Sequence, residues 1–184
     1  QSAPNGPTPI VDLGALTINT SAARGLGTAR DMAGLTVLDG NSSAPVTSAG
    51  TVDIFVGNFD TGAVGSLTVD GAVTINSSSR STLAQSNIWE SIGGPRQGGN
   101  VRIRSSLGSD VSAGSLSIDT RAATPNALSS PGSANSGSVE VGALFGSSLS
   151  VFNATSILTG ANSESDPAGY GTETNGGGVT LDAS

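Results

Sequence analysis

The sequence predicts an all-β protein of the single-stranded parallel β-helix (β-solenoid) class. The main observation is a recurring motif in which a glycine and a small residue precede alternating apolar and polar residues, as in 99–104 and 114–119. Such alternation is the period-two signature of a short strand with one buried face. A single motif has too few aliphatic residues to bury itself, so the copies must stack on one another.

The composition supports stacking of small repeats. The 184 residues include 27 glycines, and only 3% are aromatic and 11% are charged, against about 25% charged in ordinary soluble domains. The charge is too low for a typical disordered chain, and the aromatic content is too low for a compact mixed α/β core. Stacked small repeats reconcile both observations within one domain.

Charge and residue types exclude several functional classes. The formal net charge is −7, and the seven basic residues, all arginines, are scattered through the chain, so we expect no binding to nucleic acid. Histidine and cysteine are absent, which removes disulfides, thiol nucleophiles, zinc sites of the usual type and histidine bases. No apolar run approaches about 18 residues, so we expect no membrane insertion. We also expect no cofactor, no metal and no enzymatic activity.

The first nine residues form a separate segment. Pro4, Pro7 and Pro9 favour an extended N-terminal arm at 1–9, and the β-solenoid domain is predicted over 10–184. The opening residue is Gln1 rather than Met, which suggests either a mature terminus after removal of a secretion signal or the edge of a fragment.

Strand motifs follow in order along the domain. Glycines 50 and 65, and again 99 and 114, are 15 residues apart, which suggests one turn-and-strand step used twice, while the glycine-led motifs at 99, 137 and 177 differ by 38 and 40. Gly, Ser, Asn and Pro are frequent between the motifs and predict long surface loops at about 77–98, 121–136 and 160–176. The predicted strands are 10–13, 14–19, 34–39, 50–56, 65–70, 71–76, 99–104, 114–119, 137–141, 147–153 and 177–182.

The inward positions of these strands predict the core. Leading aliphatics such as Leu16, Val52, Leu67 and Val101 are expected to lie above one another in one continuous column. The alternative is an antiparallel β-sandwich, in which Asp70-Gly71 would be a hairpin turn. The predicted core ladder is Leu16, Ile18, Val52, Ile54, Leu67, Val69, Val101, Ile103, Leu116, Ile118, Val139 and Val141.

The positions of the charged residues favour structural roles over catalytic ones. Several aspartates, among them Asp70, Asp119 and Asp182, end a strand motif, where a carboxylate accepts hydrogen bonds from nearby backbone amides. Outward parity places Asp53, Arg102, Arg104 and Glu140 on the solvent side, and nothing in the sequence shows whether they share a face. We predict no catalytic residues.

These repeats resemble a known family. Motifs of a glycine, a small residue and alternating aliphatics, at 65–70, 99–104, 114–119, 137–141 and 177–182, are similar to the β-helical regions of filamentous-haemagglutinin-type exoproteins and related large bacterial adhesins. The chain is short, and no secretion domain of that family is recognisable in it. The resemblance implies a right-handed parallel β-helix outside a bacterial cell, without enzymatic activity.

We therefore expect a secreted structural protein, an extracellular filament subunit or a surface adhesin. Its expected partners are copies of itself, with cell-surface glycans as a second class, because a β-helix exposes unpaired strands at both ends. The alternative is a polysaccharide-binding or polysaccharide-degrading β-helix protein. The residues predicted to mediate self-association through the arm and the strand edges are Pro4, Pro7, Pro9, Ile10, Val11, Val179 and Leu181.

Overall fold

A computed structural model of the chain describes residues 8–24, 47–57, 62–81, 96–124, 133–163 and 174–183. These residues form short strands, and no helix is present within the described ranges. The predicted strand at 34–39 lies outside them. The strands are β1 Ile10–Leu13, β2 Leu16–Asn19, β3 Ala22–Arg24, β4 Thr47–Ser48, β5 Val52–Val56, β6 Ser66–Asn76, β7 Ser79–Ser81, β8 Arg96–Gln97, β9 Val101–Ser106, β10 Asp110–Asp119, β11 Ala122–Thr124, β12 Ala134–Asn135, β13 Val139–Leu144, β14 Ser148–Val151, β15 Thr155–Leu158, β16 Ala161–Ser163, β17 Thr174–Asn175 and β18 Val179–Ala183.

The strands form four parallel sheets. Sheet A has the order β1-β6-β10-β14, with β2 also on β6 and β15 also on β10. Sheet B is β3-β7-β11-β16, sheet C is β4-β8-β12-β17 and sheet D is β5-β9-β13-β18. All strand pairs of the described residues are parallel. The predicted all-β class is confirmed, and the antiparallel pairing of the sandwich alternative is not found in them.

The chain visits sheets A, B, C and D in the same order four times. We call these visits pass 1 (β1 to β5), pass 2 (β6 to β9), pass 3 (β10 to β13) and pass 4 (β14 to β18). Val101 pairs in register with Val139, and Val139 with Val179. The predicted spacings of 38 and 40 are therefore each the length of one pass.

The aliphatic core lies between sheets A and D. Its most buried members include Val101 and Ile118, both 0% exposed. All twelve residues of the predicted core ladder belong to this core, eight of them buried and four (Leu16, Ile18, Ile54 and Leu67) partly buried. Burying each such side chain contributes about 1.5–3 kcal/mol, so stability is distributed over many small contributions.

The predicted single column is wrong, because the aliphatics stack in several columns. One column in sheet D contains Val52, Val101, Val139 and Val179. Leu16 and Leu116 stack in sheet A through Val73, whereas Leu67 stacks between Val11 and Val111. Each pass thus contributes strands to several sheets, and a column repeats once per pass instead of once per motif.

Sheets B and C are built mainly from small residues, with arginines among them, and pack against each other. The strands of the two sheets contact one another in every pass, for example β3 with β4 and β11 with β12. These strands occupy both ends of each predicted loop, so the loop bounds 77–98, 121–136 and 160–176 were too wide. Runs such as 79–81 lack the aliphatic alternation that marks a strand in sequence.

In each of the first three passes, one backbone hydrogen bond joins the segment before sheet D to the segment after sheet A. These bonds lie between the A/D core and the B/C layer. The backbone N–H of Gly99 donates to the Ser77 carbonyl at 2.8 Å, and that of Gly137 donates to Thr120 at 3.0 Å. A Cβ atom built on Gly99 would collide with the Gly50 carbonyl oxygen and the Ser77 hydroxyl. Glycine is required here because the backbone approaches too closely for a side chain.

In each pass, the part of the chain in sheet A consists of two registered halves joined by a short segment, which we call the link. The length of the link alternates between passes. Asp70-Gly71 lies in the link of pass 2, in the middle of β6, so it is an irregularity within a strand and not a turn. Two residues form the link in passes 1 and 3, and three residues form it in passes 2 and 4. In each pass, the residue before the link and the residue after it are in register with their equivalents in the neighbouring passes. These residues are Leu13 and Leu16 in pass 1, Val69 and Val73 in pass 2, Ala113 and Leu116 in pass 3, and Val151 and Thr155 in pass 4.

This register also corrects the predicted 15-residue step. Ser66 pairs with Asp110, so Gly65 lies beside Ser109, whereas Gly114 lies inside β10 next to the Asp70-Gly71 link. Gly65 and Gly114 therefore occupy different positions in the pass, and their equal spacing from the preceding glycines is a coincidence.

Candidate functional site

The first candidate surfaces are the two terminal edges of the sheets. We call the outer side of β1 to β5 the first-pass edge and the outer side of β14 to β18 the fourth-pass edge. Within the described part of the chain, no strand pairs with either outer side. Unpaired strand edges present rows of free N–H and C=O groups and are sites for pairing with another chain.

The first-pass edge exposes aliphatic side chains. Ile10 is 73% exposed and Val11 is 48% exposed, and both were predicted to mediate self-association. The Pro9 carbonyl accepts a hydrogen bond from the Ser66 N–H at 3.0 Å, so Pro9 begins the sheet A ladder and does not extend away from it. Pro4 and Pro7 of the predicted arm lie outside the described residues.

An apolar groove opens beside this edge. Its volume is about 380 Å³, and its lining includes Pro9, Val11, Phe55, Val64 and Leu67. The groove lies where the end of β5 approaches the start of sheet A. The first-pass edge therefore combines free backbone groups with apolar side-chain surface.

At the fourth-pass edge, aliphatic side chains are more exposed than their equivalents on the neighbouring interior strand. Val179 and Leu181 continue the columns of Val139 and Val141 in sheet D. The inner pair is 1% and 7% exposed, while Val179 is 46% and Leu181 is 73% exposed. The same alternation that places these aliphatics in a buried column leaves them exposed when no strand covers them.

Phe152 is an edge residue that sequence reasoning missed. It is 73% exposed and belongs to the three-residue link of pass 4, where its N–H donates to the Ala113 carbonyl at 3.0 Å. The available signal was an aromatic residue that directly follows the aliphatic Val151, at a position where the alternation of the 147–153 motif places polar residues.

The second candidate surface is a charged ladder on the outer face of sheet D. Asp53, Arg102 and Glu140 are registered on adjacent strands, and Arg104 reaches Glu140 from β9 with 2.6 Å between Nη2 and Oε2. Arg102 Nε lies 3.7 Å from the Glu140 carboxylate. The four outward charges identified from parity therefore share one face, with acid and base alternating across the strands.

The electrostatics of this ladder are those of an ion pair. The hydrogen bond from Arg104 lowers the pKa of Glu140, and the positive charges of Arg104 and Arg102 act in the same direction. The same hydrogen bond raises the pKa of Arg104. A general acid in glycoside hydrolysis needs a raised carboxyl pKa, so the environment of Glu140 is unsuited to that role.

A column of side-chain amides and carboxylates turns the chain from sheet A toward sheet B. The Oδ1 atoms of Asn19, Asn76 and Asp119 each accept a hydrogen bond from the N–H two residues later, at 3.1, 3.2 and 3.1 Å. Asp119 also accepts from the Arg121 guanidinium at 2.9 and 2.7 Å. The carboxylate of Asp119 is thus used for the turn that its position at a strand end predicted.

The described ranges contain no cluster of three or more acidic, histidine or cysteine side chains that could hold a metal ion. No helix in that part of the chain is long and apolar enough to span a membrane. No family model, curated protein or solved structure matches this chain.

Proposed function

We propose that this chain is a structural protein with a parallel β-solenoid fold, which self-associates through the strand edges at its two ends. In this proposal it is secreted and serves as an extracellular filament subunit or a surface adhesin. Copies of the same chain are its main partners, and it carries no catalytic site.

The repeated order of the sheets supports a solenoid. A chain that visits four sheets in one order, always pairing in parallel with the preceding pass, advances by one strand spacing of about 4.8 Å per pass. Sheets B and C contact each other within every pass, and sheets A and D contact each other through β10 with β9, β14 with β9 and β14 with β13. Stacked passes of this kind are the defining property of β-solenoids.

The observation that carries the self-association proposal is the loss of burial along single columns at the edge. Val139 and Val141 are buried, whereas Val179 is about half exposed and Leu181 is largely exposed. Covering a Val or Leu side chain completely contributes about 1.5–3 kcal/mol. A further strand on either edge would gain such burial together with the backbone hydrogen bonds of the outermost strands.

The edges lack some of the usual protections against pairing. Lysines and inward-pointing charges commonly protect exposed strands, and this chain has no lysine. In β18 the inward positions are Val179 and Leu181, with Asp182 on the other parity. The extracellular location rests on the resemblance to exoprotein repeats.

Sedimentation velocity and negative-stain microscopy of the purified chain test the proposal. We expect elongated assemblies whose size increases with concentration. Deleting 1–8 removes the predicted arm but keeps the Pro9 carbonyl that accepts from Ser66, and assembly should weaken if the arm takes part in it. Leu181→Lys places a charge on the fourth-pass edge. Because Leu181 is 73% exposed, that variant keeps its fold and loses the assemblies.

The matched control is Ser117→Lys, which adds the same charge to an exposed outward position of β10, an interior strand of sheet A. We expect Ser117→Lys to assemble like the unmodified chain. Dispersed monomers of the unmodified chain at all concentrations would refute self-association. Release of reducing ends from a glycan panel would instead favour the polysaccharide alternative.

A further inference from the structure

We infer that assembly is head-to-tail and in register, with the first-pass edge of one copy continuing the sheets at the fourth-pass edge of the next. This inference rests on the proposed self-association and specifies its geometry. The partner is a second copy of the chain, placed so that β14 pairs with β1, β15 with β2 and β18 with β5 of the neighbouring copy.

The columns within one chain define this register. Asp12, Thr68, Ser112 and Ser150 occupy successive positions of one outward column in sheet A, so the next position belongs to Asp12 of the neighbour. The inward columns continue likewise, with Val179 meeting Val52 and Leu181 meeting Ile54. Apolar positions thus face apolar positions across the junction.

The charges are compatible with this register. Asp12 would lie beside Ser150, Asp53 beside Thr180, and Asp182 beside Phe55. No two like charges are registered opposite each other at these sheet A and sheet D positions, although the edges together carry several carboxylates. Like charges directly opposite on adjacent strands would be destabilising.

The alternating links of sheet A distinguish head-to-tail from head-to-head contact. A two-residue link in pass 1 would lie on the three-residue link of pass 4, which continues the alternation seen inside the chain. Head-to-head contact would oppose two links of equal length. It would also require antiparallel pairing, which is found nowhere among the described strands.

Gly14, in the link of pass 1, is a glycine whose position is explained by the head-to-tail contact. Inside the chain, the glycines of the pass 2 and pass 3 links face carbonyls of the preceding pass: a Cβ on Gly71 would lie 2.5 Å from the Gly14 oxygen, and one on Gly114 would collide with the Asp70 oxygen. A Cβ on Gly14 would meet nothing within 4 Å. The glycine at this edge therefore relieves no clash within the chain, but it matches the clearance that the three-residue link 152–154 of a preceding copy requires.

Two single-cysteine variants test the register. The chain has no cysteine, and neighbouring strands place Cα atoms about 4.8 Å apart, within the 4.4–6.8 Å spanned by a disulfide. We expect a mixture of Asp12→Cys and Ser150→Cys proteins to form mixed disulfide dimers on mild oxidation, in excess over dimers of either variant alone. Asp12→Cys mixed with Ser117→Cys, whose cysteine lies on an interior strand, is the control and gives no such excess.

Gly14→Ala tests the clearance. We expect it to unfold at the same temperature as the unmodified chain when monomeric, while its assembly weakens about tenfold or more, because the added methyl group overpacks the junction. The control is Gly178→Ala at the fourth-pass edge, where a Cβ also meets nothing within 4 Å and where the backbone is exposed. It should assemble normally.

The outcomes separate the two proposals. If the unmodified chain does not assemble, self-association itself is wrong. If it assembles while Asp12→Cys forms mainly disulfides with itself, or while Gly14→Ala assembles as well as Gly178→Ala, self-association stands and the head-to-tail register is wrong.

Discussion

The carboxylate of Glu140 lies 2.6 Å from the Arg104 guanidinium, although the two residues are 36 positions apart in the chain. One pass of the chain separates them, so their contact reports directly on the register between β9 and β13. An ion pair that depends on register makes the pairing of these strands sensitive to pH.

Glu140→Gln should lower the thermal unfolding midpoint at pH 7 and have no effect in acid. Arg104 holds the pKa of Glu140 below its ordinary value of 4.5, so the folded state is stabilised where the unfolded carboxyl is already ionised. That contribution is fully present above about pH 4.5 and is lost as the pH falls through the lowered folded value. Unfolding midpoints between pH 2 and pH 7 would measure the difference between the variant and the parent chain.

Asp182→Asn is the control, because it removes the same charge from sheet D without removing an ion pair of the described residues. A Glu140→Gln effect that is independent of pH, or equal to that of Asp182→Asn, would contradict the proposed role of the pair. Added salt should reduce the effect, since both side chains are partly exposed.

Gly99→Ala should destabilise the fold by at least about 1–3 kcal/mol, because a Cβ at this position collides with the carbonyl group of Gly50 in the preceding pass, and this backbone group cannot rotate aside as a side chain could. Gly178→Ala, with open space around the added methyl group, should be neutral or stabilise by about 0.4–1 kcal/mol. Urea unfolding followed by circular dichroism would compare the two. Equal stabilities would show that the passes are not in close contact at Gly99.

Ile118→Ala should cost about 2–5 kcal/mol of unfolding free energy, since it empties a fully buried position between sheets A and D. Leu181→Ala removes an isomeric aliphatic side chain that is exposed at the edge and should stay within about 0.5 kcal/mol of the parent chain when monomeric. Chemical unfolding at a concentration below assembly provides the comparison. A similar loss in both variants would mean that the edge strand is as well packed as the core.

Asn76→Ala should cost about 1 kcal/mol, because the Asn76 Oδ1 atom accepts hydrogen bonds from both the N–H and the hydroxyl of the buried Ser78, at 3.2 and 2.7 Å. Asn76→Asp keeps an acceptor at the same position, as Asp119 does in the next pass, and should retain most of the stability. If both substitutions had the same cost, the turn would depend on something other than the side-chain acceptor.

The sequence predicted the strands of sheets A and D well because their inward residues are large and aliphatic. Val101 and Ile103 alternate with arginines, and the structure places both in the core. Alternation cannot show which copies share a column, since Leu16 and Val52 have the same local pattern but belong to different sheets. Only the 38- and 40-residue spacings contained that information.

The strands of sheets B and C were not predictable from hydrophobic pattern. Ala134 and Ser79 are fully buried, but small residues fill the space there and produce no periodic signal. Arg96, also fully buried, is the least predictable residue, because an arginine in a Gly- and Ser-rich stretch is typical of a solvated loop. Packing across the whole pass decides these positions.

The connections from sheet B to sheet C differ in length from pass to pass, from 25–46 in the first to 125–133 in the third, while the strands before and after them remain in register. A gene for such a protein can therefore gain or lose codons between the strands of sheets B and C without moving those strands out of register. The B-to-C connections and the paired strands are therefore free to evolve separately. A foreign peptide grafted between Arg24 and Thr47 should leave the pairing of β3 and β4 unchanged.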